Sequence, residues 1–178
     1  MKIIVLDRDG VINEDSDAYI KHPDEWHPVE GSLEAIAKLK RAGWTVAVAT
    51  NQSGVRRGYY SRETLHAMHM KLVALLAEHE VTVDWINYSP YIAEDQSPCR
   101  KPSVGMLQAI ENRFQCSLVG QPMIGDTVAD IAVAKAKGMT PILVKTGKGE
   151  RTLAKQDPML QGVPVYDNLL AAVEALLQ

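Results

Sequence analysis

Short apolar runs alternate along this chain with longer segments that repeat apolar residues at helical spacing. The runs predict five strands and a weaker sixth, at Ile3–Leu6, Thr45–Thr50, Trp85–Tyr88, Gln121–Ile124, Pro141–Val144 and Val163–Tyr166. The segments between them predict helices near Ser32–Arg41, Arg62–Glu78, Val104–Phe114, Val128–Lys137 and Leu169–Leu177. Strands joined through helices pair in parallel, with right-handed crossovers. We therefore expect an α/β protein, a three-layer sandwich with a mostly parallel central sheet and helices on both faces.

Capping residues mark the ends of several predicted helices. Ser32 and Ser61 are the predicted N-terminal caps of the first two helices, and Gly43 and Gly138 are predicted to end the first and the fourth. Long irregular stretches remain at Asn13–Gly31, Pro90–Ser103 and Lys145–Gly162. Long loops in a compact domain are usually functional, so we expect these three to cover a binding site.

Length and composition restrict the class of protein. The chain has 178 residues, 46% of them hydrophobic and 23% charged, which predicts one domain over residues 1–178 with a full core. The net charge is −3 and the basic residues are scattered, so the basic surface that binds nucleic acid is not expected. A small-molecule ligand is the expected partner.

The expected location is the cytoplasm. No segment approaches the roughly 18 apolar residues of a membrane span, and the N-terminal apolar run is too short for a signal peptide. The two cysteines, Cys99 and Cys116, lack CxxC spacing, which fits a reducing compartment. No heptad pattern or long apolar face predicts a partner subunit, so we expect a monomer.

The first predicted strand ends in two carboxylates, Asp7 and Asp9, just before Gly10. Ligands of open α/β sheets bind at the carboxyl ends of strands. Alternation along an extended chain predicts both carboxylates on one side and Arg8 on the other. Two like charges this close are unfavourable unless a cation or a shared proton relieves them. We therefore expect a metal ion, a phosphate or an acid–base role at this point.

The other predicted strand ends add complementary groups. Strand two runs into hydroxyl and amide side chains suited to phosphate oxygens, at Thr50, Asn51, Gln52 and Ser53, before Gly54. Arg100 and Lys101 precede the third helix and can neutralise a phosphate. Asp126 ends the fourth strand, and Asp130 follows one helical turn later. Carboxylates, hydroxyls and cations are thus expected at one edge of the sheet.

Each group also has a simpler interpretation. Asp126 alone is compatible with a helix cap, and a dibasic pair is usually a solvated turn. His66 and His69 have the spacing of metal ligands, but the apolar residues around them favour a packed helix face. Gly147–Gly149 is interpreted as a flexible basic turn. GQPMIGDT is not a nucleotide-binding P-loop, because Asp126 stands where the lysine is needed.

The segments DRDGVIN, ATNQSG, RKP and GDTVAD, in this order, resemble the four motifs of haloacid-dehalogenase-type phosphatases. The resemblance implies a Rossmann-like sheet, a Mg²⁺ ion and hydrolysis through a phosphoaspartate. It implies that Asp7 is the nucleophile and Asp9 the general acid and base. It also implies a phosphate ligand at Thr50, a cationic clamp at Lys101, and metal ligands at Asp7, Asp9 and Asp126, with Asp130 in a supporting position.

These roles agree with the chemistry of the residues. Mg²⁺ prefers hard oxygen ligands, which a site rich in carboxylates and free of histidine supplies. A carboxylate nucleophile divides hydrolysis into two easier steps through an acyl phosphate. Asp9 has to donate a proton and then accept one, so we expect its pKa to be raised next to ionised Asp7.

The loops narrow the expected substrate. The stretch between Gly10 and Thr50 also has to hold a helix and a strand, so no large cap domain fits there. Within the family, DRDGVIN, a loop near Tyr19, TNQSGVRRGYYS and CRKPSVGM most resemble the corresponding segments of phosphatases that remove the C7 phosphate of a heptose 1,7-bisphosphate. Those phosphatases make a precursor of the lipopolysaccharide core or, with the other anomer, of nucleotide-activated heptose. The resemblance implies that the substrate is contacted by the segment from Asp15 to Tyr19 and by Asn51, Gln52, Ser53, Gly54 and Arg100. Arg100 would then bind the second phosphate.

One departure from the family pattern concerns zinc. Many relatives bind a structural zinc ion in the loop before the RKP motif. Here Ser89, Tyr91 and Ser97 replace three of the ligands and leave Cys99 alone. A single thiol cannot build a tetrahedral zinc site, so zinc is not expected.

Three alternatives remain open. The nearest is a histidinol-phosphate phosphatase, which shares similar motifs. A receiver-type signalling domain also has a phosphorylated aspartate on a doubly wound sheet, but its acidic pair and phosphoacceptor lie on different strands. The third is a sugar-phosphate binding module without catalysis, which an intact acid and nucleophile disfavour.

Overall fold

Six parallel strands form the central sheet of the computed structural model, which describes residues 1–178. The strands are β1 (Ile3–Leu6), β2 (Thr45–Asn51), β3 (Trp85–Ser89), β4 (Pro122–Gly125), β5 (Thr140–Val144) and β6 (Val165–Tyr166). Their order is β3-β2-β1-β4-β5-β6, so that β1 pairs with β2 on one side and with β4 on the other. The chain crosses from one half of the sheet to the other after β3, and β1 and β4 meet at this switch point. Ligands of such sheets bind there.

Six helices connect the strands. They are α1 (Ser32–Arg41), α2 (Arg62–Ala77), α3 (Gly105–Phe114), α4 (Val128–Lys137), α5 (Gly149–Ala154) and α6 (Leu169–Leu176). Five of them lie where the sequence predicts helices. The prediction of an irregular Lys145–Gly162 was wrong in part, because α5 forms within it. None of the helices is both long and apolar enough to cross a membrane.

Two apolar layers cover the two faces of the sheet. Alternate residues of β1 point to opposite layers: Ile4 and Leu6 pack with α1, α2 and α6, whereas Ile3 and Val5 pack with α3 and α4. All four of these side chains are fully buried. A strand covered on both faces appears in the sequence as an uninterrupted apolar run. The predicted α/β sandwich with a central parallel sheet is therefore confirmed, and no large cap domain is inserted in it.

The helix termini agree with the predictions in three cases of four. Gly43 follows the last residues of α1 in the left-handed conformation, at φ 86°. Ser61 caps α2, since its Oγ accepts a hydrogen bond of 3.1 Å from the backbone N–H of Thr64. Gly138 ends α4 in the left-handed conformation, at φ 79°. The prediction for Ser32 was wrong, because Gly31 occupies the cap position and Ser32 is the first helical residue. The Ser32 hydroxyl instead donates to the carbonyl oxygen of Val11, at 2.8 Å, and ties α1 to the segment after β1.

Trp26 anchors the long loop between β1 and α1. Its side chain is fully buried in the layer formed by α1, α2 and α6. Lys71 of α2 donates to the carbonyl oxygen of Trp26 at 2.6 Å and to that of Pro23 at 2.7 Å. These contacts fix the base of a loop whose other half reaches the edge of the sheet.

We expect Trp26→Ala to lower the free energy of unfolding by about 3–5 kcal/mol, because it leaves a cavity in the core. Urea denaturation monitored by circular dichroism measures the change. Trp44→Ala is the matched control, since Trp44 is only half-buried, and we expect it to cost less. Equal losses in the two variants would contradict the anchoring role of Trp26.

Candidate active site

A cavity of about 400 Å³ lies at the carboxyl ends of β1, β2 and β4. Most of the predicted site residues line it, namely Asp7, Asp9, Asp15, Tyr19, Asn51, Gln52, Ser53, Arg100, Lys101 and Asp126. Three predicted residues, Thr50, Gly54 and Asp130, lie outside the lining. Ser16 and Asp17, within the predicted segment from Asp15 to Tyr19, also line the cavity, whereas five lining residues were not predicted: Ile20, Tyr60, Thr127, Ala129 and Lys148.

Two buried carboxylates that line the cavity, Asp7 and Asp126, converge with a third, Asp130, that lies outside the lining. Ligand oxygens of Asp7, Asp126 and Asp130 lie within 4.8 Å of one another. Asp130 was predicted only in a supporting position, whereas the Asp9 carboxylate, predicted as a metal ligand, is not part of this acidic triad. Oδ2 of Asp130 accepts from the Thr127 hydroxyl, at 2.9 Å, and from the backbone N–H of Asp126, at 3.1 Å. Asp130 thus also holds the start of α4.

Lys101 is the cation that balances the triad. Its buried Nζ lies 2.7 Å from Oδ1 of Asp130, 3.0 Å from Oδ1 of Asp7 and 2.9 Å from the carbonyl oxygen of Ala49. Asn51 orients the Lys101 backbone, accepting from its N–H at 3.0 Å and donating to its carbonyl oxygen at 3.1 Å. Burial alone would lower the pKa of Lys101, but the two carboxylates outweigh it and raise that pKa.

The carboxylates of the triad differ in their pKa values. Burial and repulsion from Asp130 raise the pKa of Asp7 well above its usual range, although Lys101 opposes the shift. Burial and Asp130 also raise the pKa of Asp126, to about 7. Burial would raise the pKa of Asp130 too, but Lys101 outweighs it and lowers that pKa. One lysine therefore does not compensate the charge of all three groups.

One oxygen of the triad has no partner. Oδ2 of Asp126 accepts from the backbone N–H of Lys148 at 2.9 Å, whereas Oδ1 is buried without any hydrogen bond. Leaving a buried acceptor unpaired costs about 1–3 kcal/mol, and more for a charged group. An oxygen-rich cluster with an unpaired carboxylate oxygen fits a hard divalent cation.

Asp9 also lines the cavity and has its own cation. Oδ1 of Asp9 lies 2.6 Å from Nη2 of Arg8 and 2.9 Å from Nδ2 of Asn13. The expectation that Arg8 points away from Asp9 was wrong, because β1 ends at Leu6 and its alternation ends there too. Burial raises the pKa of Asp9, but Arg8 and the hydrogen bonds outweigh it, so that the pKa is lowered. The expectation that the pKa of Asp9 is raised is therefore wrong.

Gln52 connects Asp9 with the end of β2. Its Nε2 donates to Oδ2 of Asp9 and to Oγ1 of Thr50, both at 2.9 Å, and its Oε1 accepts from the Tyr60 hydroxyl at 2.5 Å. Thr50 is buried behind Gln52. Gly54 lies outside the cavity lining, and a Cβ there would meet the Tyr60 ring at 2.2 Å. Gly54 makes room for Tyr60, which lies in the segment TNQSGVRRGYYS but for which no role was predicted.

The Gly147–Gly149 turn contributes to the site, although its sequence indicates only a flexible basic turn. Nζ of Lys148 lies 2.7 Å from Oδ2 of Asp15 and closes one side of the cavity. The turn passes so close to the segment after β1 that a Cβ on Gly147 would lie 2.3 Å from Cα of Gly10. The only signal in the sequence for this contact is that Gly147 and Gly149 follow the end of a strand, where a glycine permits close contact with another backbone segment.

The rim of the cavity is formed by three loops. Arg100 is half-buried, and its Nη1 donates to the carbonyl oxygen of Tyr91 at 3.0 Å. Across the cavity, Tyr19 stacks edge-to-face on Tyr59, with ring centroids 5.1 Å apart. Asp17 pairs with Arg151 of α5, at 3.0 Å. The loops therefore enclose a polar pocket with cations and carboxylates at its mouth.

The remaining candidate metal ligands lie apart from this cavity. Sγ of Cys99 lies 3.1 Å from Oγ of Ser97 and 3.4 Å from Oγ of Ser89. One thiol and two hydroxyls do not form the nitrogen and sulfur set that zinc requires. His69 is buried while His66 is exposed, as a packed helix face predicts.

Comparisons with known proteins agree with the motifs. A family model described as HAD-hydrolase-like matches residues 98–172. The D-glycero-beta-D-manno-heptose-1,7-bisphosphate 7-phosphatase of Pseudomonas putida is 52% identical, over 99% of this chain and 100% of the relative. The enzyme of the same name from Neisseria meningitidis serogroup A is 42% identical, over 100% of this chain and 96% of the relative.

Solved structures give the same result. The D,D-heptose 1,7-bisphosphate phosphatase of B. bronchiseptica, complexed with magnesium and phosphate, has a TM-score of 0.96 and 47% identity, covering 100% of this chain and 99% of the other. The corresponding enzyme of Burkholderia thailandensis has a TM-score of 0.76 and 38% identity, with 100% and 99% covered.

Fold and site together define a phosphatase of the haloacid-dehalogenase (HAD) type, a phosphoric monoester hydrolase. Within that superfamily the chain belongs to the family of the D-glycero-D-manno-heptose 1,7-bisphosphate phosphatases.

His69 makes the stability of the fold depend on pH. Burial and the nearby Arg8 lower the pKa of His69 from 6.5 to about 3. Below about pH 6.5, His69 is protonated in the unfolded chain but stays neutral in the folded chain. The free energy of unfolding therefore decreases as the pH falls. Between pH 7.5 and pH 5, we expect the free energy of unfolding of the unmodified protein to fall by about 2 kcal/mol more than that of His69→Gln. Urea denaturation at both pH values measures this, and parallel losses would contradict a buried neutral His69.

Proposed function

We propose that this chain is a Mg²⁺-dependent phosphatase that removes the C7 phosphate of D-glycero-β-D-manno-heptose 1,7-bisphosphate through a phosphoaspartate on Asp7. The observation that carries the proposal is the acidic triad, with its unpaired Asp126 oxygen, next to buried Lys101. The names of the relatives support the substrate and the β anomer. The product would be a heptose 1-phosphate, a precursor of nucleotide-activated heptose for the lipopolysaccharide core.

The residues present fit a magnesium ion. Asp7 and Asp126 would hold it, with Asp130 next to them, since these carboxylates converge and Oδ1 of Asp126 has no other partner. The B. bronchiseptica enzyme is complexed with magnesium and phosphate together, which supports the same pair of ligands here. Bound there, Mg²⁺ would supply positive charge to the oxygens of the transferred phosphoryl group.

Asp7 is the proposed nucleophile. It ends β1 at the bottom of the cavity, and its backbone N–H is fixed by the carbonyl oxygen of Ile124, at 3.0 Å. One carboxylate oxygen attacks phosphorus, the bond to the sugar oxygen breaks, and an acyl phosphate forms. Lys101 neutralises phosphoryl oxygens during the transfer, so that most of the catalysis is positioning and electrostatic stabilisation.

Asp9 is the proposed general acid and base. It lines the same cavity as Asp7 without belonging to the triad. A dianionic phosphate bound next to Asp9 favours its protonated form, because like charges disfavour ionisation. The protonated carboxyl gives its proton to the departing sugar oxygen, and the resulting carboxylate takes a proton from the water that hydrolyses the acyl phosphate.

The rim is proposed to select the bisphosphate. Arg100 stands next to Lys101 at the cavity edge, with guanidinium donors beyond the one that binds Tyr91. A fork of donors suits a second phosphate. Asp15, Tyr19 and Ser53 offer polar groups to sugar hydroxyls from the other loops.

Two substitutions test the catalytic roles. Asp7→Asn removes the nucleophilic oxygen, and we expect no phosphate release and no trapped phosphoenzyme. Asp9→Asn keeps the shape but removes the proton, and we expect a rate about 10²–10⁴-fold lower. Calorimetric Mg²⁺ titration of Asp9→Asn should remain close to that of the unmodified protein. A phosphoenzyme on a residue other than Asp7, or an unimpaired Asp9→Asn, would contradict these assignments.

Phosphate release tests the substrate. We expect the β-anomer of the bisphosphate to be hydrolysed with a higher kcat/KM than the α-anomer or histidinol phosphate, and EDTA to abolish the activity. Arg100→Ala should raise KM for the bisphosphate about tenfold, as expected for the loss of a charge-assisted contact. Arg57→Ala is the control, since Arg57 is exposed outside the cavity. A preference for histidinol phosphate would reassign the substrate.

A further inference from the structure

The side chain of Arg8 is fully buried between the active site and α2. Nε and Nη2 of its guanidinium lie 3.1 and 2.6 Å from the same oxygen, Oδ1 of Asp9. The third nitrogen, Nη1, lies 3.1 Å from Nε2 of His69. Every nitrogen of the guanidinium therefore has a protein partner, Asp9 or His69, and none is left to bind the substrate.

The two oxygens of Asp9 are unequally occupied. Oδ1 accepts from Arg8 through two nitrogens and from Nδ2 of Asn13 at 2.9 Å. Oδ2 accepts only from Nε2 of Gln52, at 2.9 Å. A carboxylate oxygen has about two lone-pair sites, so three donors saturate Oδ1. Oδ2 is the oxygen with capacity left for a proton.

His69 holds Arg8 from the opposite side. A guanidinium has only donors, so Nε2 of His69 is the acceptor and the ring proton resides on Nδ1. His69 itself is buried in α2, with its ring 6.3 Å from that of Tyr88. The position of the guanidinium is therefore set from outside the cavity, by a helix that contributes no group to the triad.

We propose that Arg8 and His69 are positioning residues for proton transfer: they hold Asp9 by Oδ1 and leave Oδ2 to exchange the proton. This inference rests on the proposed role of Asp9. In the first step a bond forms between Asp7 and phosphorus, and the bond from phosphorus to the sugar oxygen breaks. The electron pair of the broken bond stays on the sugar oxygen, which takes the proton from Oδ2 of Asp9. The products are an acyl phosphate on Asp7, a protonated hydroxyl on the sugar and an ionised Asp9.

Leaving-group dependence separates this role from a merely structural one. The heptose bisphosphate loses an alkoxide that needs a proton, whereas 2,4-dinitrophenyl phosphate loses a phenolate that does not. The ratio kcat/KM reports only the steps up to release of the leaving group, so hydrolysis of the phosphoenzyme does not affect it. A variant with a misplaced Asp9 should therefore be impaired on the first substrate and not on the second.

The decisive comparison is between two substitutions of His69, to Leu and to Gln. We expect His69→Leu, which removes the acceptor for Arg8, to lower kcat/KM about tenfold for the bisphosphate, as a modest misplacement of a reacting group does. Its kcat/KM for 2,4-dinitrophenyl phosphate should stay within about twofold. His69→Gln offers an amide oxygen to Arg8, so its kcat/KM for the bisphosphate should stay close to that of the unmodified protein. His66→Leu, one turn earlier and exposed, is the matched control and should change neither value.

Arg8→Lys provides a second test if His69→Leu does not fold, as judged by circular dichroism. It keeps the charge but lacks the fork that reaches both Asp9 and His69. We expect the same selective loss on the bisphosphate. Equal losses on both substrates, or no loss on either, would overturn the positioning role.

Asp9→Asn, assayed with the same two substrates, keeps the two proposals distinguishable. A selective loss in Asp9→Asn without one in the Arg8 and His69 variants would overturn the positioning role alone. An equal loss on both substrates in Asp9→Asn would overturn the acid role of Asp9, and the positioning role with it.

Discussion

The ion pairs of Lys101 are the interaction on which the site depends. Removing one partner from a buried pair costs about 3–5 kcal/mol, because the other charge stays buried and uncompensated. Here one cation faces two carboxylates, Asp7 and Asp130, and a third, Asp126, shares their space. The cluster keeps an excess of negative charge and one unpaired oxygen. That excess suits a divalent cation, whose charge would in turn offset the negative charge of a phosphoryl group.

The topology brings these charges together. The neighbouring strands β1 and β4 supply Asp7 and Asp126 from the switch point of the sheet, and Lys101 reaches in from the loop before α3. Asp9, two residues beyond Asp7, belongs to a different electrostatic environment, since Arg8 folds back onto it. Adjacent carboxylates can then perform different tasks, because one is held by the lysine and the other by the arginine.

The sequence predicts the features that depend on a local residue pattern. It does not predict contacts between residues that are far apart in the chain. Buried strands, most helices and the motif residues at strand ends follow from periodicity and from chain order. The contact of Lys148 with Asp15 joins residues 133 positions apart, and no local signal predicts it. The same holds for the bond between Arg8 and His69, 61 positions apart. Alternation also misplaced Arg8, because a strand pattern was extended past the end of the strand.

The central claim is that Asp7 receives the phosphoryl group while Asp9 remains held by Arg8. A crystal structure of the protein with Mg²⁺ and trifluoroberyllate, which mimics an acyl phosphate, tests it most directly. We predict beryllium bonded to one carboxylate oxygen of Asp7, Mg²⁺ between Asp7 and Asp126, and Oδ1 of Asp9 still bonded to Arg8. An adduct on Asp9 or on any other side chain would contradict it.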